Sequence, residues 1–219
     1  MKLSVNMFMT LDGVVQSPGG AEEDPSGGFT RGGWVMPHIG DDWGRVVGAW
    51  FDHTEALLFG RFTYQVMAAF WPGVTDPANP AAAALNTRPK YVVSGTLADA
   101  DATWTNSTVV RGDVLSAVRD LKEQPGDELQ IHGSARLAAT LHAAGLVDVY
   151  RLLVFPVTVG AGKRLFDPQA PATGFRTVSA ETLSTGVTSL VLEPVPFTAG
   201  GVSIVDSQVE IHVNEGVSA

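Results

Sequence analysis

Residues 130–166 read QIHGSARLAATLHAAGLVDVYRLLVFPVTVGAGKRLF, and this stretch decides the fold. A short apolar run ends at His132-Gly133, as a buried strand does. Ser134 stands where a helix N-cap belongs, its hydroxyl placed to accept a first-turn N–H. Leu137, Leu141 and Ala144 follow at helical spacing, and Gly145 is a left-handed stop. Residues 149–156 make a second buried strand, and Gly160-Ala161-Gly162 is a turn. The order is strand, glycine turn, helix, strand. A glycine turn feeding a helix N-terminus presents free N–H groups and the positive end of the helix dipole, which suits a phosphate.

Upstream the design recurs. Residues 56–59 (ALLF) form a short apolar strand, Gly60 a turn, and Arg61-Phe62-Thr63-Tyr64 the start of a helix. Glycine turns join strands to helices throughout α/β proteins, so either junction alone says little. Two in one chain, one carrying an arginine, make the arrangement that a dinucleotide pyrophosphate needs. A third anion-accepting strand end follows residues 90–94 (KYVVS), at Gly95-Thr96.

The rest of the chain supports these junctions. Leu3, Val5, Met7 and Met9 alternate with less apolar neighbours, giving a first strand that ends at Asp12-Gly13. Asp12 is either a cleft-lining acid or half of a turn dipeptide. Residues 16–40 lack a hydrophobic period and are rich in Gly and Pro, while Trp34, Val35, Met36 and Pro37 argue for order; a lid or cleft wall is expected. Asp41-Asp42 are expected to cap a helix burying Val46, Val47, Trp50 and Phe51, and an acid there facing a substrate could hold a heterocycle's N–H. The helix after Gly60 is marked by Phe62, Val66 and Phe70, and the one after Gly112-Asp113 by Val114, Leu115, Val118 and Leu121. Residues 175–183 and 187–192 read as antiparallel strands across Ser184-Thr185-Gly186, ended by Pro194 and Pro196. A weaker hairpin follows at 202–205 and 209–213. Strands alternating with helices, then hairpins, predict an α/β fold with a mixed sheet and one antiparallel end.

Composition narrows the function. The 219 residues carry a formal charge of −9, so nucleic acid and anionic membrane are poor partners. The chain has no cysteine, which removes disulfides, thiolate metal sites and cysteine nucleophiles. His53-Thr54-Glu55 fits the H-x-E of zinc deaminases, yet the cysteine pair that chemistry needs is missing. Gly160-Ala161-Gly162-Lys163 lacks the upstream glycine and the Ser/Thr of a phosphate loop. No G-x-G-x-x-G follows a strand, no G-x-S-x-G occurs, and the five histidines are scattered, so no metal is expected. Ser4 and Asn6 interrupt the first apolar segment, and no run reaches the roughly 20 residues of a membrane span. A soluble, cytoplasmic protein is expected.

Together, LLFGRFTY (57–64), KYVVSGTL (90–97), IHGSARL (131–137) and GLVDVYRLLVFPVTVGAGKRLF (145–166) resemble the dihydrofolate reductase-like family. Within it the chain is most similar to the riboflavin-biosynthesis reductases, and KLSVNMFMTLDG (2–13) is similar to that group's opening strand and loop. The resemblance implies a mostly parallel sheet of about eight strands with flanking helices and NADPH across the strand ends. It implies that Gly60, Arg61 and Thr63 meet the cofactor phosphates, that Ser94, Gly95 and Thr96 lie by the adenosine and its 2′-phosphate, and that Gly133, Ser134, Ala135 and Leu137 take the pyrophosphate and nicotinamide side. It implies a substrate side of Asp12, Trp34 and Asp41, with Asp12 and then Asp41 as candidate proton donors. The implied reaction is hydride transfer to a small heterocycle, dihydrofolate- or pterin-like or a 5-amino-6-ribosylamino-pyrimidinone, in a homodimer. The likeness covers residues 1–193; residues 194–219 form a C-terminal extension. His132-Gly133 replaces the Gly-Gly of dihydrofolate reductases, and Val149 replaces an acid common in the group, both bearing on the substrate. A nucleotide-binding or regulatory module without turnover is the alternative, and a flavin- or deazaflavin-dependent oxidoreductase a third.

Overall fold

The computed structural model describes residues 1–166, 168–205 and 207–214; the last part of the extension, 215–219, lies outside the described residues. In chain order the elements are β1 (Lys2–Thr10), α1 (Trp43–Ala49), β2 (Thr54–Gly60), α2 (Arg61–Phe70), α3 (Pro80–Thr87), β3 (Lys90–Val93), β4 (Ser107–Val110), α4 (Val114–Glu123), β5 (Glu128–His132), α5 (Ala135–Ala143), β6 (Val149–Phe155), β7 (Thr173–Thr182), β8 (Thr188–Pro196), β9 (Ala199–Val205) and β10 (Gln208–Asn214). Eight strands form one sheet in the order β4-β3-β2-β5-β1-β6-β8-β7. From β4 through β6 neighbours run parallel, and β8 and β7 close that end antiparallel. The expected mixed, mostly parallel sheet is what the chain forms. β9 and β10 pair as a separate antiparallel hairpin. No helix among the described residues is long and apolar enough to cross a membrane.

The sheet is covered on both faces, so its strands bury alternate residues on each. On one side Val46 and Trp50 of the α1 region, Tyr64 of α2 and Leu85 of α3 pack on Leu57, Phe59, Leu153 and Phe155. On the other, Val118 and Leu121 of α4 and Leu137, Ala138 and Leu141 of α5 pack on Leu3, Val5, Leu58, Leu129 and Ile131. Gly145, with φ +64°, ends α5 as expected.

Several expectations need correction. In α2 the core residue is Tyr64, supported by Met67 and Ala68, whereas Phe62 and Phe70 are exposed. Tyr64 faces the sheet because its hydroxyl accepts the backbone N–H of Trp104. Asp42 occupies the N-cap position of α1 without capping it; its carboxylate accepts the N–H and hydroxyl of Ser184, holding the β7–β8 turn. β8 runs on through Pro194 and Pro196, paired with β7 only, since its pairing with β6 stops at Leu192. With no neighbour on that side, the missing proline N–H costs no ladder bond there.

A polar seam runs through the sheet under α1. Glu128, Gln130 and His132 alternate along β5 with Leu129 and Ile131, yet all five are buried. Arg151 of β6 meets both carboxylate oxygens of Glu128 at 2.7 Å. Burial alone would raise the Glu128 pKa; the Arg151 hydrogen bonds and charge outweigh it and hold the carboxyl below its ordinary value. Removing one partner leaves a buried charge uncompensated. Arg151→Ala is expected to lower stability by about 3–5 kcal/mol at neutral pH, measured by urea unfolding. Because the folded pKa is depressed, the stabilisation holds above the unfolded carboxylate value of about 4.3 and is lost as pH falls through the folded one. The wild type's advantage should therefore shrink on acidification.

Candidate functional site

The sheet changes direction between β2 and β5. The chain leaves β2 through α2 on one face towards β3, and leaves β5 through α5 on the other face towards β6. In open α/β sheets, ligands bind beyond the carboxyl ends of strands at such a switch point. The paired register of β2 and β5 runs from Thr54–Glu128 to Leu57–Gln130. Past it, the strand ends are joined by side chains. The Gly60 N–H donates to Ser134 Oγ at 3.0 Å, and the Ser134 N–H donates to Thr63 Oγ1 at 3.0 Å.

This clasp corrects the expected cap. Gly133 and Ser134 are both left-handed, at φ +68° and +56°. Ser134 therefore turns its hydroxyl to β2 and caps nothing in α5. A Cβ on Gly133 would stand 3.0 Å from Thr63 Cγ2, so the two junctions touch. Neither α2 nor α5 has a side-chain cap, whereas Asn79 caps α3 and Asp113 caps α4. Like α1, the two helices that start at the switch point have first-turn N–H groups that no side-chain cap occupies, and such groups with the dipole behind them attract anions.

Around this point the implied cofactor residues separate into three groups. Gly60, Gly133 and Ala135 are half-buried at the two junctions, with Thr63 and Ser134 between them. The exposed Arg61 donates to Thr96 Oγ1 at 3.0 Å, so the rim of α2 reaches the turn after β3. At that turn Gly95 faces open space, while the Ser94 hydroxyl is occupied by the N–H groups of Thr96 and Leu97. Leu137 instead packs in the core between α5 and the sheet.

The substrate-side residues each make contacts of their own. Asp12 accepts hydrogen bonds from Thr10 Oγ1 (2.6 Å) and from the N–H groups of Val159 and Gly160, stapling the turn after β1 to the segment after β6. The Thr10 hydrogen bond does most to lower its pKa, so Asp12 stays charged. Trp34 is buried, donates from Nε1 to the Gln16 carbonyl and meets Phe155 edge-on. The segment 16–40, expected as a lid or cleft wall, is pinned: Gln16 bonds Asp24, Ser26 and Lys163, and Lys163 pairs with Asp24 at 2.6 Å. Asp41 is exposed beside Asp42.

One residue of the site had no role assigned from sequence. His132 is buried just before Gly133, its ring stacked on Phe51 at 4.5 Å and its Nε2 2.9 Å from Gln130 Oε1. Burial foremost, with the Arg151 charge adding and Glu128 opposing, lowers its pKa to about 3. The signals in the sequence were an imidazole at a strand end next to the glycine turn and its place where dihydrofolate reductases have the first Gly of Gly-Gly. Cavities of about 380 Å³ beside Trp104 and about 240 Å³ beside His142 are lined by none of these residues.

The clasp gives a measurable consequence. Thr63→Val keeps the shape of the side chain but leaves the Ser134 N–H without its acceptor, and is expected to cost about 1–3 kcal/mol. Thr63→Ser keeps the acceptor and is expected to stay within about 1 kcal/mol of wild type by chemical denaturation.

Comparison with known proteins agrees with the fold. The chain is 26% identical over 196 residues to the YyaP protein of Bacillus subtilis, covering 87% of this chain and 93% of that one. A Shewanella sp. PV-4 structure described as a candidate riboflavin biosynthesis protein superposes with a TM-score of 0.64 at 18% identity, over 89% and 99% of the two chains. The Thermotoga maritima diaminohydroxyphosphoribosylaminopyrimidine deaminase/5-amino-6-(5-phosphoribosylamino)uracil reductase superposes at 0.56 and 16% identity, over 89% of this chain and 56% of that one. The family model of the RibD C-terminal domain matches residues 1–189, and the chain belongs to that family of riboflavin-pathway reductases.

Proposed function

We propose that the protein is a cytoplasmic, NADPH-dependent reductase that transfers a hydride to a small electron-poor heterocycle, of the ribosylamino-pyrimidine or pterin kind. The observation that carries this reading is the meeting of two uncapped helix N-termini at the β2–β5 switch point, with Arg61 and Thr96 on its rim. The residues present fit the cofactor. First-turn N–H groups of α2 and α5 would take its pyrophosphate. Arg61, Gly95 and Thr96, one strand further out, would take a ribose phosphate. When bound, the cofactor supplies the hydride, and the protein's part is to orient the reactants and exclude water.

A nucleotide-binding module without turnover is the second reading. The contacts of Asp12 favour it, since a charged, fully engaged carboxylate is a poor proton donor. Binding followed by the absence of NADPH oxidation across a heterocycle panel would select this alternative.

We further propose a homodimer to which the β9–β10 hairpin contributes. Val202, Ile204, Val209, Ile211 and Val213 are each at least 69% exposed, and a lone two-stranded hairpin is at best marginally stable in water. Deleting residues 197–219 is expected to lower the mass in light scattering; an unchanged mass would remove the hairpin from the interface.

The cofactor assignment is tested by following tryptophan fluorescence during NADPH and NADH titrations. NADPH is expected to bind at least about tenfold more tightly than NADH, and Arg61→Ala to remove about 1.5–3 kcal/mol of that binding, the worth of a hydrogen bond to a charged group. Equal binding of both cofactors by wild type and variant would reject the role of Arg61. Binding of neither would reject the reductase.

A further inference from the structure

We propose that His132 is a specificity-determining residue of the crevice, its Nδ1 acting as a fixed acceptor for an N–H donor on the heterocyclic substrate. This inference rests on the reductase reading above for the place and class of the ligand. Its physical basis is the hydrogen-bond order of the seam beneath the site.

That order leaves one arrangement of protons. The Gln130 side-chain nitrogen donates to the Trp50 carbonyl at 2.7 Å and to Glu128 Oε2 at 3.0 Å. Its oxygen is thereby the acceptor, and it takes the Thr54 hydroxyl at 2.9 Å and faces His132 Nε2 at 2.9 Å. An amide oxygen cannot donate, so Nε2 must carry the imidazole hydrogen. The ring is neutral, because burial with the Arg151 charge outweighs Glu128. A neutral ring protonated at Nε2 has a bare lone pair at Nδ1.

Three observations give that lone pair a use. Among the described residues, no donor bonds Nδ1. His132 as a whole keeps 6% of its surface exposed. The ring is also held in place, flat against Phe51 with an interplanar angle of 3° and beside Trp50 at 6.3 Å. Nε2 points to Gln130, two residues back along β5. The other nitrogen lies on the opposite side of the ring, away from Gln130. The result is an acceptor of fixed direction at a strand end of the switch point. A ligand N–H would complete it, whereas a carbonyl or carboxylate would meet lone pair with lone pair. Neither Asp12 nor Asp41 offers an equivalent, the first being engaged elsewhere and the second exposed.

Two variants separate the two nitrogens. His132→Asn places a side-chain oxygen near the Nδ1 position and gives up the bond to Gln130. His132→Gln reaches Gln130 but removes the acceptor at Nδ1. The probe is 5,6-diaminouracil, titrated calorimetrically into the full chain with and without NADP⁺. Wild type and His132→Asn are expected to bind it within about threefold of each other, and His132→Gln at least about tenfold more weakly. NADPH binding, read by tryptophan fluorescence, should be the same in all three. Equal losses in both variants, wild-type binding by His132→Gln, or no binding of the probe by wild type would overturn the inference. If NADPH still binds in those cases, the reductase reading stands. Failure of NADPH to bind would strike that reading separately. A measurement on the wild type needs no variant to fold: long-range ¹H–¹⁵N spectra at pH 7 should show the Nε2–H tautomer, with the Nδ1 resonance moving on addition of the probe. An Nδ1–H tautomer, or an unmoved resonance, would overturn the inference.

Discussion

The joint between Gly60, Thr63 and Ser134 is the constraint on which the site depends. Two parallel strands whose helices leave on opposite faces must part at their carboxyl ends, and the gap would leave backbone donors unpaired. Here the Gly60 and Ser134 N–H groups are satisfied by hydroxyls rather than by a continued ladder. A left-handed, non-glycine conformation carries a cost of roughly 1–2 kcal/mol, and Ser134 adopts it at φ +56°. Its two hydrogen bonds across the gap offset that cost. Fixing this turn also fixes where α5 begins, and Thr63 ties the same point to the first turn of α2. Both helix N-termini therefore approach one place because one small hydrogen-bonded unit holds both.

The polar seam of β5 extends the same constraint into the core. Buried polar groups cost little only when each has a partner. Glu128 finds Arg151 and Gln130, Gln130 finds Trp50 and Thr54, and His132 finds Gln130. The chain of partners begins at the paired start of β5 and ends beside Gly133. Its members lie on β2, β5 and β6 and at the end of α1, so the imidazole is oriented by residues far apart in sequence.

Much of the frame could be read from the amino acids because it depends on local signals. Gly60 and Gly133 mark turns, Leu137 and Leu141 mark a buried helical face, and Val and Leu runs mark strands with both faces covered. The errors share a cause. Phe62, Val66 and Phe70 have the right spacing for a buried face, but a bond from Trp104 to Tyr64 decides which face of α2 turns inward. Ser134 is a good cap by type, yet its left-handed backbone sends the hydroxyl to β2. Lys90 opened a strand without any hint that its ammonium is buried against the carbonyls of Arg88 and Thr105 and over the Trp104 ring. Asp12, Trp34 and Asp41 were placed by their positions at a strand end, in a long loop and at a helix start, and by the resemblance. Apart from the bond of Asp12 to Thr10, the hydrogen bonds of Asp12 and Trp34 are made to segments 18 to 148 residues away, and spacing carries no such information.

The ionisable groups near the switch point also limit what the protein itself contributes to a reaction. Asp12 holds its charge through three donors, and nothing in that arrangement releases a proton at neutral pH. His132 has one ring proton, which faces Gln130 rather than the open end of the strand, and its pKa is too low for it to carry a second. Acid catalysis needs a group that is protonated near the working pH and directed at the reacting atom, and neither residue is. The polar groups of this site hold fixed directions rather than exchangeable protons. Such a site suits chemistry in which a bound molecule brings its own reactivity and the fold supplies alignment.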